Sequence, residues 1–199
     1  IWSLAFYADR LLQGGVERVS GEQQFSTVSF VAADINAELV DRLNALELIA
    51  KEIDAHLIGK PAELLVQIKR RPLLPIMFNG GTWISGMDGI VIAANLPALI
   101  GANYADREYM TAVLDGKPTI SKPITGKILK DTIFIMAVPI LDSRGKVIGA
   151  LAGVTDLGKP NFLDKIAAAR YGKSGSYLLN APQYHLIVTS SDKSRIMQP

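Results

Sequence analysis

Apolar residues at Val28, Val31, Ile35, Leu39, Leu43, Leu46, Ala50, Ile53 and Leu57 recur at spacings of three and four. That period places one apolar stripe along an α-helix. No proline stands before Pro61, and Gly14, Gly15 and Gly21 weaken the helix only near its beginning. The pattern predicts one helix from 16 to 59, about 65 Å long at ~1.5 Å per residue, or two helices broken near Gly21. A helix of that length reads as a stalk, a coiled coil or a membrane-proximal element more than as part of a compact core. A short helix is expected next, over 62–69 and stopped by Pro72.

The period then shortens to that of strands. "TWISGMDGIVIAAN" is two apolar runs around Asp88-Gly89, a hairpin signal. "NLPALIGANY" reads as loop, and "DREYMTAVLDG" as a short helix ended by Gly116. "TISKPITGKI" predicts an edge strand, because Pro118 and Pro123 keep it out of a sheet centre. "DTIFIMAVPILDSRGKVIGALAGVT" predicts two long strands around a turn from Asp142 to Gly145. "VIGALAGV" lacks alternation and belongs in the sheet interior, with a close backbone approach at its glycines. "FLDKIAAARYG" reads as a helix and "SYLLNAPQYHLIVTSS" as a further hairpin.

The order of elements is an α+β pattern: a long N-terminal helix, then an antiparallel sheet of about five strands with a short helix across one connection. The hairpin opening at Trp83 has an echo opening at Tyr177. Both begin with a small polar residue and an aromatic and leave on a β-branched run. The expected division is a helix over 1–60, a sheet module over 61–158, and a connecting helix with the beginning of a second such module over 159–199.

Composition narrows the chemistry. The 199 residues carry a formal net charge of +2, too small to imply nucleic acid. The one compact basic cluster, Lys69-Arg70-Arg71, has no interleaved aromatics and reads as a solvated turn. With no cysteine, disulfides, thiolate metal sites and a cysteine nucleophile are excluded. His56 and His185 lie far apart in sequence, so no metal site is expected. No apolar run reaches the ~18 residues needed to span a bilayer. The chain opens on Ile1 rather than methionine, so it reads as an excised or processed fragment, which leaves room for flanking targeting or membrane segments.

Catalytic signatures do not appear. "GKPT" and "GKSG" look faintly like phosphate loops, but the glycine that a P-loop needs would fall at Thr111 and Ala167. There is no G-x-S-x-G elbow and no G-x-G-x-x-G. A hydrolase would need a nucleophile and a base, and neither is found. No enzyme activity and no cofactor are expected.

The long helix, "FNGGTWISGMDGIVIAANLP", "GANYADREYMTAVLDGKPTISKP" and "MAVPILDSRGKVIGALAGVTDL" together resemble a double Cache sensor domain. The resemblance covers nearly the whole chain. It implies two stacked PAS-like modules on one long helix, placed outside the cytoplasm. Flanking membrane spans would tether it in a chemoreceptor, histidine kinase or diguanylate cyclase of the inner membrane, facing the periplasm or extracellular space. It also implies that the membrane-distal module holds the ligand. One subgroup binds amino acids. Arg107 matches its arginine for a carboxylate and Asp156 its aspartate for an ammonium. Tyr109 and Met110 stand where it has tryptophan and tyrosine. A simple carboxylate is therefore as good an expectation as an amino acid.

Arg107 is expected in the first turn of a helix, where the local field disfavours a cation. That placement makes sense if an anion lies between the guanidinium and the free N–H groups; the alternative is a surface salt bridge. Tyr109 is either a pocket wall with a polar tip or a core anchor, and Asp156 either a ligand contact or a cap. Trp83 is a core candidate that also borders the expected cavity, which Tyr104, Ser121, Asp131 and Phe134 flank. Met110, Val113 and Leu114 are expected in the core. The leading expectation is a sensor for a small carboxylate-bearing molecule. The alternative is a ligand-independent spacer or dimerisation module, in which the stripe over 28–57 pairs two chains.

Overall fold

The computed structural model describes residues 2–168, 170–171, 175–181, 184–190 and 192–198, with side chains described from residue 21 to 166 and again from 177 onward. Helix α1 runs Trp2–Lys51. It begins earlier than the periodicity placed it, passing through all three glycines, and it ends earlier than 59. Ile53 and Leu57 keep the apolar period but do not extend the helix. Asp54 accepts the N–H of His56 and starts a single 3-10 turn over Ala55–Leu57 instead. The apolar contacts that mimic a helix are made there by a turn.

Helix α2, Pro61–Lys69, opens on a proline at its first position, where a missing N–H costs nothing. A single turn, α3, covers Leu74–Met77. The hairpin of β1, Thr82–Gly86, and β2, Val91–Ala94, follows. Its turn closes at Gly89 with φ 73°. Helix α4 spans Glu108–Leu114 and ends at Gly116 with φ 86°.

The expected edge strand over "TISKPITGKI" is two short strands, β3, Thr119–Ile120, and β4, Ile124–Thr125, both paired with β5. Between them Ser121 continues the pairing partly by side chain. Its N–H donates to the Ile135 carbonyl at 2.8 Å, and its Oγ accepts the Ile135 N–H at 3.0 Å. The long hairpin is β5, Thr132–Leu141, and β6, Val147–Asp156. Asp142 Oδ1 fixes its turn by accepting the N–H groups of Arg144 and Lys146 at 2.8 and 2.9 Å. The resulting six-stranded antiparallel sheet has the order β2-β1-β6-β5-β3, with β4 also on β5. Strand β6 is central, as its unalternating sequence required.

Each face of the sheet carries its own core. On one face α1 lies across β5 and β6, and α2 lies on β1 and β2. Ile35, Leu46, Ala50 and Ile53 pack there with Phe78, Phe134, Met136, Val138 and Leu151. The α1 stripe is therefore spent on its own sheet from Ile35 to Ile53. Phe25, Val28 and Phe30 nearer its N-terminus stay exposed, as do Val40 and Leu48. Gly153 lets Phe78 approach, since a Cβ there would come within 2.3 Å of the ring. On the opposite face α4 and the preceding loop bury Trp83, Tyr104, Tyr109, Met110 and Val113 against Ile133, Ile135 and Val154.

Beyond β6 come α5, Asp164–Ala168, and two small antiparallel pairs. The first joins β7, Arg170–Tyr171, to β8, Gly175–Ser176. The second joins β9, Leu178–Ala181, to β10, Leu186–Ser190. The helix expected over "FLDKIAAARYG" is shorter than that stretch: α5 covers Asp164–Ala168, and Arg170–Tyr171 pairs as a strand instead of continuing the helix. The turn of the last hairpin falls at 182–183, outside the described residues. No helix among the described residues is long and apolar enough to cross a membrane.

Candidate functional site

The segment from Pro97 to Asp106 is pinned to the β1–β2 hairpin by its backbone. The Val91 N–H donates to the Ala102 carbonyl at 2.9 Å, and the Tyr104 N–H to the Gly89 carbonyl at 3.0 Å. Asn103 Oδ1 accepts the Ala105 N–H at 2.8 Å, which turns the chain toward α4. Gly89 is needed for this close approach, because a Cβ there would lie 2.7 Å from the Ala105 nitrogen. Arg107 then stands at the N-cap of α4, in extended conformation, rather than within its first turn. Its carbonyl accepts the Met110 N–H at 2.9 Å. Glu108, the first helical residue, supplies the acid that a first turn favours. The sequence puzzle of a cation inside the helix thus dissolves, and the arginine side chain is free to serve elsewhere.

That side chain borders two clefts. The narrower, about 430 Å3, is walled by Arg107, Tyr109, Ser121 and Lys122, with Asp106 and Glu108 at its edge. The wider, about 630 Å3, lies between Arg107 with the 122–130 segment and Tyr184, Leu186 and Met197. Arg107 makes no ion pair among the described residues, and its Nε is buried without a hydrogen-bond acceptor. The Tyr109 hydroxyl is likewise buried and unpartnered. Burial pushes the Tyr109 pKa far up, so this phenol is a hydrogen-bond donor throughout the neutral range. Its neighbour Tyr104 is shifted upward for the same reason. Both residues line the narrower cleft, and an anion that reaches their buried donors satisfies them.

The other expected site residues are distributed unequally. Ser121 lines the narrower cleft, but its hydroxyl is already committed, donating to the Lys122 carbonyl at 2.8 Å and accepting from Ile135. Trp83 and Tyr104 stack with centroids 5.2 Å apart and line neither cleft, though the Trp83 Nε1 is also without an acceptor. Asp156 is fully buried at the end of β6 and lines neither cleft. Its Oδ1 accepts the Gly158 N–H at 2.9 Å and its Oδ2 lies 2.9 Å from Lys159 Nζ. Lys159 is held protonated by that contact, its pKa raised. Asn79 clamps the Asp156 backbone from both sides, accepting its N–H at 2.8 Å and donating to its carbonyl at 3.1 Å. Asp131 is exposed and lines neither cleft. Phe134 points to the opposite face of the sheet, because strand alternation sends it with Met136 toward α1.

Sequence reading missed Lys122, Lys127, Lys130 and Tyr184. The three lysines recur within "SKPITGKILK", a basic spacing that was available to be noticed. Tyr184 gives no signal, since its proximity to Arg107 comes entirely from tertiary packing.

The sheet thus carries a long helix on one face and a ligand-sized cleft beside the short helix on the other. The chain belongs to the Cache domain family, which its residues 15–198 match as a double Cache domain. Domains of this family are non-catalytic ligand-binding modules, and in receptors of this type they lie outside the cytoplasm. Comparison with curated proteins gives no match.

Among solved structures, the ligand-binding domain of the Pseudomonas fluorescens chemoreceptor CtaA, in complex with L-serine, is similar at TM-score 0.65 and 21% identity. The match covers 84% of this chain and 70% of that one. The sensor domain of the V. cholerae histidine kinase DctB is similar at TM-score 0.69 and 17% identity, over 88% of this chain and 68% of that one. The amino acid chemoreceptor PctB of Pseudomonas aeruginosa, with L-Gln bound, is similar at TM-score 0.63 and 21% identity, over 84% of this chain and 66% of that one. The chain thus spans about two thirds of the length of these domains.

Proposed function

We propose that this domain is the ligand-sensing part of a membrane-tethered signalling receptor, and that it binds a small carboxylate-bearing molecule, an amino acid or a simple carboxylate, in the cleft of Arg107 and Tyr109. The observation that carries this reading is the pair of unsatisfied donors. A buried donor left without an acceptor costs about 1–3 kcal/mol, a cost that a bound carboxylate would remove. The bound amino acids of CtaA and PctB support the ligand class. Asp156 does not line this cleft and is engaged by Lys159. An ammonium would therefore have to use Asp106 or Glu108, which do line it.

In this reading residues 61–158 form the ligand-binding distal module and 159–199 begin a second one. The receptor is a chemoreceptor, histidine kinase or diguanylate cyclase of the inner membrane, with this region in the periplasm or extracellular space. Ligand binding shifts α1, which carries the signal toward the membrane. A near-complete switch requires the ligand to prefer one state by about 5.5 kcal/mol. A homodimer would form through the exposed part of α1 around Phe25 and Phe30. A pure spacer needs no ligand-sized opening beside Arg107, whereas clefts of about 430 and 630 Å3 adjoin it and ligand pockets begin at about 300 Å3.

The test is thermal melting against a panel of amino and carboxylic acids, with the corresponding amides as controls. A rise in Tm with a carboxylate and none with its amide is expected. A flat response across the panel contradicts the proposal.

A further inference from the structure

The wider cleft adjoins the narrower one, sharing Arg107, Lys122, Ile124 and Tyr184 with it, but differs from it in charge. Arg107, Lys122, Lys127 and Lys130 line it, and no acidic residue among the described residues does. Two of these cations have carboxylate partners outside the cleft: Lys122 meets Glu108 at 3.1 Å and Lys127 meets Asp106 at 2.6 Å. Arg107 and Lys130 have no ion pair among the described residues, so the cleft keeps a surplus of positive charge. The rest of its wall is mainly apolar: Pro123 and Ile124, beside Thr125, on one side, and Leu186, Met197 and the Tyr184 ring on the other.

Cations around an apolar wall select a particular guest. A small inorganic anion would leave Ile124, Leu186 and Met197 in contact with water, and a neutral hydrocarbon would leave the cations unused. The cleft, about 630 Å3, is within the range of small-molecule sites.

We propose that this wider cleft is a second binding site, taking an organic anion with an aromatic or aliphatic body. Its carboxylate or sulfonate meets Lys130 and Arg107, and its body lies against Leu186 and Met197. The site does not require a ligand in the narrower cleft.

The site also has a mechanical consequence. Its two walls come from segments far apart in the chain, 122–130 and 184–197. At present they are tied by Thr132 Oγ1 donating to Met197 Sδ at 3.4 Å and by Lys122 Nζ lying 5.1 Å over the Tyr184 ring. An occupant touching both walls fastens the β9–β10 hairpin to the larger sheet.

The experiment is isothermal titration of the 199-residue domain with benzoate, with acetate and benzyl alcohol as controls. Benzoate is expected to bind saturably, and the two controls to bind at least about tenfold more weakly. Lys130→Glu is expected to weaken benzoate about tenfold and Lys130→Gln about threefold. Lys130 is exposed, so neither change threatens folding. Arg70→Ala, exposed and lining neither cleft, is expected to leave the benzoate isotherm in place. Absence of saturable benzoate binding overturns the proposal, as does binding insensitive to both Lys130 variants. Loss of benzoate binding in Tyr109→Phe with retention in Lys130→Glu also overturns it, by assigning the anion to the narrower cleft.

Discussion

The guanidinium of Arg42 lies 3.8 Å from the centre of the Phe162 ring. Arg42 is on α1 and Phe162 on the segment leaving β6, so this contact joins the stalk to the connector. Arg42 Nε also donates to the Met77 carbonyl at 3.3 Å, its Nη1 donates to the Glu38 carbonyl at 3.1 Å, and the guanidinium pairs with the Glu38 carboxylate. Phe162 in turn meets Phe134 of β5 edge-on at 6.2 Å. A displacement of β5 reaches α1 through two rings and one buried cation.

Arg42→Ala should therefore destabilise the domain by about 2–3 kcal/mol, the sum of lost packing and unsatisfied partners. Arg70→Ala, at an exposed position on the end of α2, should stay within about 0.5 kcal/mol of wild type. Urea unfolding checks both, and equal effects would refute the role given to Arg42.

Tyr109→Phe separates folding from binding. The hydroxyl is buried and has no partner among the described residues, so its removal should leave the unliganded domain as stable as wild type or more stable by about 1 kcal/mol. The same change should weaken the ligand of the narrower cleft, a trade-off expected where a site is kept unsatisfied. Paired melting and titration measurements read the two effects. A clear loss of unliganded stability would make Tyr109 a structural residue only.

Glu38 sets an acid dependence. Hydrogen bonds from Lys165 and then Arg42 hold its pKa below the ordinary value of 4.5. A depressed folded pKa contributes stability that is present above the unfolded value and lost as pH falls through the folded one. Stability should thus decline below about pH 4.5, and Glu38→Gln should make that decline shallower. An unchanged acid limb in the variant, followed by circular dichroism, would contradict the assignment.

Gly149 is fixed by the β1–β6 pairing. A Cβ there would fall 2.3 Å from the Ser85 carbonyl oxygen, and backbone in mid-sheet cannot yield cheaply. Gly149→Ala should cost more than about 3 kcal/mol. Gly59→Ala, where nothing lies within 4 Å, should be neutral or mildly stabilising in the same denaturation assay.

These effects also show what the chain discloses on reading. The two hairpins were legible because Asp88-Gly89 and Asp142 to Gly145 carry the chemistry of tight turns. The interior position of β6 was legible because both its faces are buried, which erases alternation. The end of α1 was not, since Ile53 and Leu57 satisfy a helical period while sitting on a turn. At the proposed site, the resemblance singled out Arg107, but its N-cap position was not legible. Phe134 was misjudged as a cavity neighbour because the face of a buried strand depends on register, which the sequence leaves open when every residue is apolar. Tyr184 and Arg42 act through partners distant in sequence, so no local pattern announces them.

Titration calorimetry of a carboxylate found in the melting panel, against wild type and Arg107→Ala, tests the central claim most directly. Arg107 has no ion pair among the described residues to lose, so the variant should fold with nearly wild-type stability. Its affinity should fall about 10- to 100-fold, as expected for one charge-assisted hydrogen-bonding partner. Equal affinity in the two proteins would contradict the account and place the ligand away from this arginine.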